Sequence, residues 1–281
     1  MNPLEKAIAA AIKANQTQRA LFGKMGTSEH PWGFVLTGYR NARRSMATAL
    51  KERQPVDAAR EVMTELRSVV AVSMRDLLRQ AVDAGVEEAE RQLGFYDILV
   101  DSVPLMDLYS QVDSAASVIG QNIDLQANTI YALIASGEAV LVLGDEGRLG
   151  ALKPGNILLA GAFWLSTLMW NSYSDVAVRN GKDRTQKQAI AAIDNKTTDC
   201  CLRVHSQVVD LDGYFKLVGT PRYADELEWT PFHPWCRTSV ALYDRRYDDG
   251  LTDRMHDAAN TVIDERNQGI YNVRRPADAY G

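Results

Sequence analysis

All three cysteines and two of the four histidines of this 281-residue chain fall between Cys200 and Cys236. They read as Cys201-x3-His205, a connection of 27 residues, then His233-x2-Cys236. Two thiolates and two imidazoles in that spacing could close a tetrahedral Cys2His2 site of the kind zinc prefers, each pair forming one knuckle. Such a zinc would be structural. A catalytic ion keeps a position open for water, and no His-Glu-x-x-His or His-x-Glu partner supplies a general base here. A metal-free reading stands beside it, in which Cys200, Cys201 and Cys236 are buried thiols and His233 is a hydrogen-bonded turn residue before Pro234. A Cys201 and His205 nucleophile pair is the third, on the weak basis of a three-residue gap in a short loop. An odd number of cysteines, two of them adjacent, does not make a secreted disulfide framework, so reduced thiols are expected.

The stretch that carries these residues is thin in apolar content. Lys187 to Asp194 suits a strand, and short runs follow at Val208-Val209 and at Tyr214 to Val218. A small α+β or irregular unit of this kind needs a staple, and a structural zinc contributes on the order of 10 kcal/mol of folding free energy in small peptides.

Upstream, the pattern is helical. Asn2-Pro3 followed by Glu5 is a helix start, with Gly23 placed to end it and a loop expected from Gly23 to Gly38. Pro55 opens a long amphipathic helix to about Leu93, with Val62, Leu66, Val70, Leu77 and Leu78 at three- and four-residue steps and an interruption, if any, near Gly85. A third helix is expected from about Pro104 to Ser136, stopped by Gly137, then a Gly144 to Gly150 joint. No Gly-Lys-Ser/Thr follows that joint, which excludes a phosphate loop. A fourth helix runs from Pro154 to about Val178, closed by Gly181. The fold class is therefore mainly α: a long helical N-terminal region with a small α+β Cys/His module near the C-terminus. The expected division is 1–182 as helical scaffold, 183–245 as the Cys/His module and 246–281 as a polar tail that wraps a neighbour or stays mobile.

Charge is uneven. Met1 to Arg53 carries nine Lys/Arg against three acids, whereas Gln92 to Gly147 carries eight acids and neither Lys nor Arg. The basic end could approach nucleic acid or an acidic partner, and the acidic middle argues against DNA wrapping over the whole protein. Met1 to Leu21 lacks an apolar core of signal-peptide type and nothing approaches the roughly 20 apolar residues of a spanning helix, so a cytosolic protein without a membrane partner is expected.

The residues Asp194, Thr197-Thr198, Cys201 and His205-Ser206, followed by Pro231-Phe-His233-Pro-Trp-Cys236-Arg237, resemble the C-terminal module of phage Mu F-type minor head proteins, also called phage head morphogenesis proteins. That module reads Asp, a Thr-Thr or Arg-Thr pair, Cys, a short polar link and a closing Pro-Pro-x-His-x-x-Cys-Arg run. Thr230 stands where the family often has the first Pro, Ser206 where a Gly often stands, and His205 where many members have a second Cys. The resemblance covers about 50 residues and implies an internal head component of a tailed phage. Such a protein is made in the host cytoplasm and kept in the virion, associated with the portal or major capsid proteins, and acts in head assembly or DNA packaging and ejection. Packaged DNA is a further partner, through the basic N-terminal region. On this reading the chain is not an enzyme, its metal ligands are Cys201, His205, His233 and Cys236 holding a structural zinc, and Asp194, Thr197, Thr198 and Arg237 are structural motif residues. The alternative is a metal-dependent nuclease or hydrolase that uses the same Cys/His cluster, with Asp194, Asp199 or Asp210 as the acid.

Overall fold

A computed structural model of the chain describes residues 1–27, 30, 32–51, 56–101, 106–138, 151–194, 196–220 and 222–270. It is mainly α, with a small α+β region toward the C-terminus. Helices α1 (Pro3–Met25), α2 (Phe34–Lys51), α3 (Val56–Phe95), α4 (Met106–Ala135) and α5 (Gly155–Gly181) precede strand β1 (Gln186–Ala191). Then come α6 (Asp199–Val204), β2 (Val208–Asp210), β3 (Phe215–Lys216), β4 (Glu226–Leu227), β5 (Thr238–Tyr243) and α7 (Leu251–Asn267). None of the described helices is long and apolar enough to cross a membrane.

Two compact units result. One comprises Met1–Gln18, Ala81–Leu105 and Ser166–Gly281; the other comprises Arg19–Gln80 and Met106–Leu165. The second unit is all helical, with a core that includes Tyr39, Met63, Val70, Ile119, Ile130 and Leu165. The first holds the sheet together with parts of α1, α3 and α5, so the expected Cys/His module, 183–245, shares a unit with helices.

The expected helices are present with local differences. Asn2 and Glu5 form a reciprocal cap, Glu5 N donating to Asn2 Oδ1 at 2.9 Å and Asn2 N to Glu5 Oε2 at 2.8 Å. Gly23 does not end α1, which continues to Met25. The stop is Gly26, whose φ of 110° is open to glycine and costly to other residues. The stretch expected as loop to Gly38 is helical from Phe34, because Val35, Tyr39, Ala42 and Met46 recur on one face of α2 and are buried there. Gly85 does not interrupt α3. A Cβ there would stand 2.0 Å from Met169 O and 2.2 Å from Ser172 Oγ, so the glycine is where α3 and α5 touch.

The sheet order is β2-β1-β5, with both pairings antiparallel and Gln186 opposite both Asp210 and Tyr243. β3 and β4 form a separate two-stranded pair. The polar stretch after Tyr243 is not a tail throughout. Leu251, Met255, Ala259, Val262 and Ile263 line one face of α7, and Val262 and Ile263 pack with Leu202 of α6. The expected starts at Pro55 and Pro104, the Gly144 to Gly150 joint and the chain beyond 270 lie outside the described residues.

Candidate metal centre

Strand β1 is the axis of the site, because every other part is referred to it. β5 pairs along its whole length, which fixes Thr238 opposite Ala191 and brings the preceding His233-to-Cys236 turn next to the end of β1. The chain leaving β1 folds back at Asp194, whose Oδ1 accepts from Lys196 N at 2.8 Å and Thr197 N at 3.0 Å. That turn starts α6 and sets Cys200 and Cys201 against the His233 turn.

A clasp ties the two segments. Arg237 donates from Nη1 to Asp194 Oδ2 and from Nη2 to Asp194 Oδ1, both at 2.6 Å, and from Nη2 to Thr197 Oγ1 at 2.7 Å. Thr197 Oγ1 in turn donates to Ala192 O at 2.6 Å, and Arg266 of α7 reaches Asp194 O at 2.8 Å. Burial would raise the Asp194 carboxyl, but the two-pronged Arg237 guanidinium outweighs it and holds the pKa down to about 2. Asp194, Thr197 and Arg237, expected as structural motif residues, form this clasp.

The fourth, Thr198, belongs to the cluster itself. Its hydroxyl lies 2.9 Å from His233 Nε2 and 3.3 Å from Cys200 Sγ. His233 Nδ1 is 2.8 Å from Pro234 O, and a carbonyl can only accept, so Nδ1 carries the ring proton. In the neutral ring the Nε2 lone pair therefore faces Cys201 Sγ, 3.1 Å away. Cys200, Cys201 and His233 each offer one ligand atom within 4.8 Å of the others, and Cys236 Sγ is 3.8 Å from Cys201 Sγ. All three thiols are buried, whereas His233 is half-buried.

Protons on the thiols are unevenly held. Cys200 is brought down to about 6, first by the hydrogen bond it receives from Cys201, and Cys201 is pushed up because it donates to Cys200 and to Cys236. Burial raises Cys236, but the Cys201 hydrogen bond and the nearby His233 bring it to about 5. Thiolate is the form that ligates metal. Two sulfurs bound at 2.3 Å to one tetrahedral zinc stand about 3.8 Å apart, so the Cys201 to Cys236 separation is that of two zinc ligands. Cys200, Cys201 and His233 fit as three ligands of such an ion, and Cys236, which meets the group at Cys201, is the candidate fourth.

His205 is not part of that set, which corrects the expected Cys2His2 arrangement. Its Nδ1 accepts from Ala191 N at 2.9 Å, continuing along the edge of β1 where Ser206 N donates to Ala189 O at 2.8 Å. Burial, with the charge of His256, lowers His205 to about 3, so it is a neutral ring serving the backbone of β1. Cys200 is the candidate ligand that sequence spacing passes over, since adjacent cysteines do not form a knuckle pattern.

Helices of the same unit close the other side of β5. Gln18 of α1 donates from Nε2 to Cys236 O at 2.8 Å and to Ser166 Oγ at 2.7 Å, and its Oε1 accepts from Trp170 Nε1 at 3.1 Å. Asn15 donates to Arg237 O. Gln92 of α3 accepts from Leu242 N at 2.7 Å and from Tyr173 OH at 2.9 Å, while Tyr96 OH donates to Leu242 O at 2.8 Å. These four positioning residues were not singled out from the sequence. Their signal is that Asn15 and Gln18 interrupt the buried seam Leu4, Ile8, Ala11, Phe22 and Met25 of α1 at its own spacing.

On the far side of β1, Lys187 is fully buried. Its Nζ donates to Leu211 O at 2.7 Å and sits 4.1 Å from the Trp229 ring centre and 5.4 Å from that of Phe215. It pins the excursion from β2 to β5 that ends in the His233 turn. The candidate acids of the alternative reading are engaged elsewhere: Asp194 in the clasp, Asp199 with Arg203 at 2.8 Å and Asp210 with Gln186 at 2.8 Å.

No family model, curated protein or solved structure matches the chain.

Proposed function

We propose that this chain is a minor head protein of a tailed phage, acting in head assembly or DNA packaging and ejection at the portal or inner capsid. Its Cys/His module serves as a metal-stapled structural element in that role. The observation that carries the reading is convergence. Asp194, Thr197, Thr198, Cys201, His233, Cys236 and Arg237, which carry the resemblance to Mu F-type proteins, all lie in the clasp or the adjoining cluster. Ser206 supports it as well. Its φ of 68° is a left-handed conformation that glycine adopts without cost, which gives a physical reason for the Gly that members of the family often carry there.

Zinc held by Cys200, Cys201, His233 and Cys236 would supply folding free energy and no chemistry. A hydrolytic ion needs a coordination position open to water and substrate, whereas here the three sulfurs are buried. The role is structural, not enzymatic, and the partners are portal or capsid proteins.

The test is incorporation. In phage particles purified from a host that expresses a tagged chain, the protein is expected in mature heads at few copies, and Cys236→Ser is expected to be missing from them. Normal heads that never contain the wild-type chain would overturn the reading. Metal-dependent DNA cleavage by the purified protein, lost in a folded His233→Ala variant, would replace it with the nuclease alternative.

A further inference from the structure

Helix α2 carries Arg40, Arg43, Arg44 and Lys51 and no acid along its 18 residues. At 3.6 residues per turn these four cations fall within a sector of about 100°, and at 1.5 Å per residue they extend over about 16 Å of the helix. The sector points away from the buried seam of Val35, Tyr39, Ala42 and Met46. It also points away from α3, since the groove between the two helices is lined by Phe34, Thr37, Asn41 and Ser45, about 100° round the wheel. Glu65 lies in that groove and so on the far flank. Arg43, Arg44 and Lys51 are exposed. Arg43 also donates to Leu152 O at 2.8 Å, a neutral partner.

At the start of the same helix stands Trp32, 81% exposed, with the Arg40 guanidinium 5.1 Å from its ring centre. An exposed indole has little to gain from water. Beside a row of guanidinium groups it is a surface on which a base can stack while the cations hold phosphates.

We infer that the outer face of α2 binds the phosphate backbone of nucleic acid without sequence preference, with Trp32 stacking on an unpaired base where one is offered. Three of the four cations are arginines, whose planar fork matches phosphate better than a lysine-rich patch would. The face extends the role proposed above and does not depend on it, since head incorporation and nucleic-acid binding are measured separately.

The experiment is fluorescence anisotropy of the full chain with a labelled 30-mer, as duplex and as single strand, from 50 to 300 mM salt. About three phosphate contacts give a log-log salt slope of about −3. Arg44→Ala with Lys51→Ala, both at exposed positions, is expected to flatten the slope by about 2 and weaken binding about tenfold or more at 100 mM salt. Trp32→Ala is expected to weaken the single strand about tenfold and the duplex much less. Unchanged circular dichroism establishes that each variant is folded. Salt-independent binding, or binding unaffected by the double substitution, overturns the proposal. So does equal competition by polyglutamate at matched charge, or binding to phosphatidylserine vesicles that DNA does not displace, because either makes the face a general anion surface.

Discussion

Two buried polar clusters lie in the same unit, and they are closed in different ways. Around Gln18 and Gln92, amides, hydroxyls and backbone groups match one to one: Gln18 gives two hydrogen bonds and takes one, and Gln92 takes two from Tyr173 and Leu242. That network is complete with protein atoms alone, and its product is the attachment of β5 to the helices. Around Cys201, three thiols, an imidazole and a threonine hydroxyl crowd onto one nitrogen lone pair and a few weak sulfur contacts. Thiols are poor hydrogen-bond partners and strong metal ligands. The difference teaches that buried polarity in one unit can be self-sufficient in one place and, elsewhere, made of groups that bond metal better than they bond each other.

The strongest way to break this comparison is to deny the thiols any metal. A chelator, or Cys236→Ser, is expected to unfold the clasp and the β1-β5 region, with a loss on the order of several kcal/mol, given that structural zinc contributes about 10 kcal/mol in small peptides. Thermal melting with and without the chelator measures it, and equal melting of treated and untreated protein would mean that the thiols simply pack. The glutamine network is tested by its own substitution. Gln92→Leu leaves Leu242 N–H and Tyr173 OH without their acceptor and is expected to cost about 2–3 kcal/mol. Gln92→Leu is expected to leave the zinc content of the purified chain unchanged, and a variant that no longer takes up zinc would show one cluster where two are described.

Lys187 is a smaller test, because it is buried polarity that neither cluster claims. Burial lowers its pKa to about 8, below the value near 10.4 of an unfolded chain. Between those values the unfolded state holds a proton that the folded state lacks, so stability rises with pH through the window, by up to about 3 kcal/mol. Below pH 8 the whole penalty is present. Lys187→Met is therefore expected to be more stable than wild type at pH 7, by about 1–2 kcal/mol once the lost bond to Leu211 O is subtracted, and to show a flat profile from pH 8 to 10.5. A variant less stable at pH 7 would mean that the Trp229 and Phe215 faces compensate the charge fully.

How much of this was legible in the sequence follows from how local each signal is. The Asn2 and Glu5 cap, the apolar steps of α3 and the Gly137 and Gly181 stops depend on neighbours within a few turns, and the helices came out close to their expected bounds. α2 was hidden because Gly33, Thr37 and Gly38 read as loop, although Gly38 faces Leu66, where a Cβ would come within 3.1 Å. α7 was hidden by its charge, since its buried face is one residue in three or four among acids and arginines. In the site, Asp194, Thr197, Cys201, His233, Cys236 and Arg237 were legible because a motif places them. The exchange of Cys200 for His205 was not, because it turns on which side of β1 each side chain faces, and that is decided by the pairing of β1 with β5 across about 50 residues. Asn15, Gln18, Gln92 and Tyr96 lie still further away in the chain, and only packing brings them to the carbonyls and amides of the site.

The most direct test is X-ray absorption at the zinc edge of the full-length protein purified with its metal. Three sulfurs at about 2.3 Å and one nitrogen at about 2.0–2.1 Å are expected, from Cys200, Cys201, Cys236 and His233. Two sulfurs and two nitrogens would return His205 to the site, and a well-folded chain without zinc would contradict the metal centre altogether.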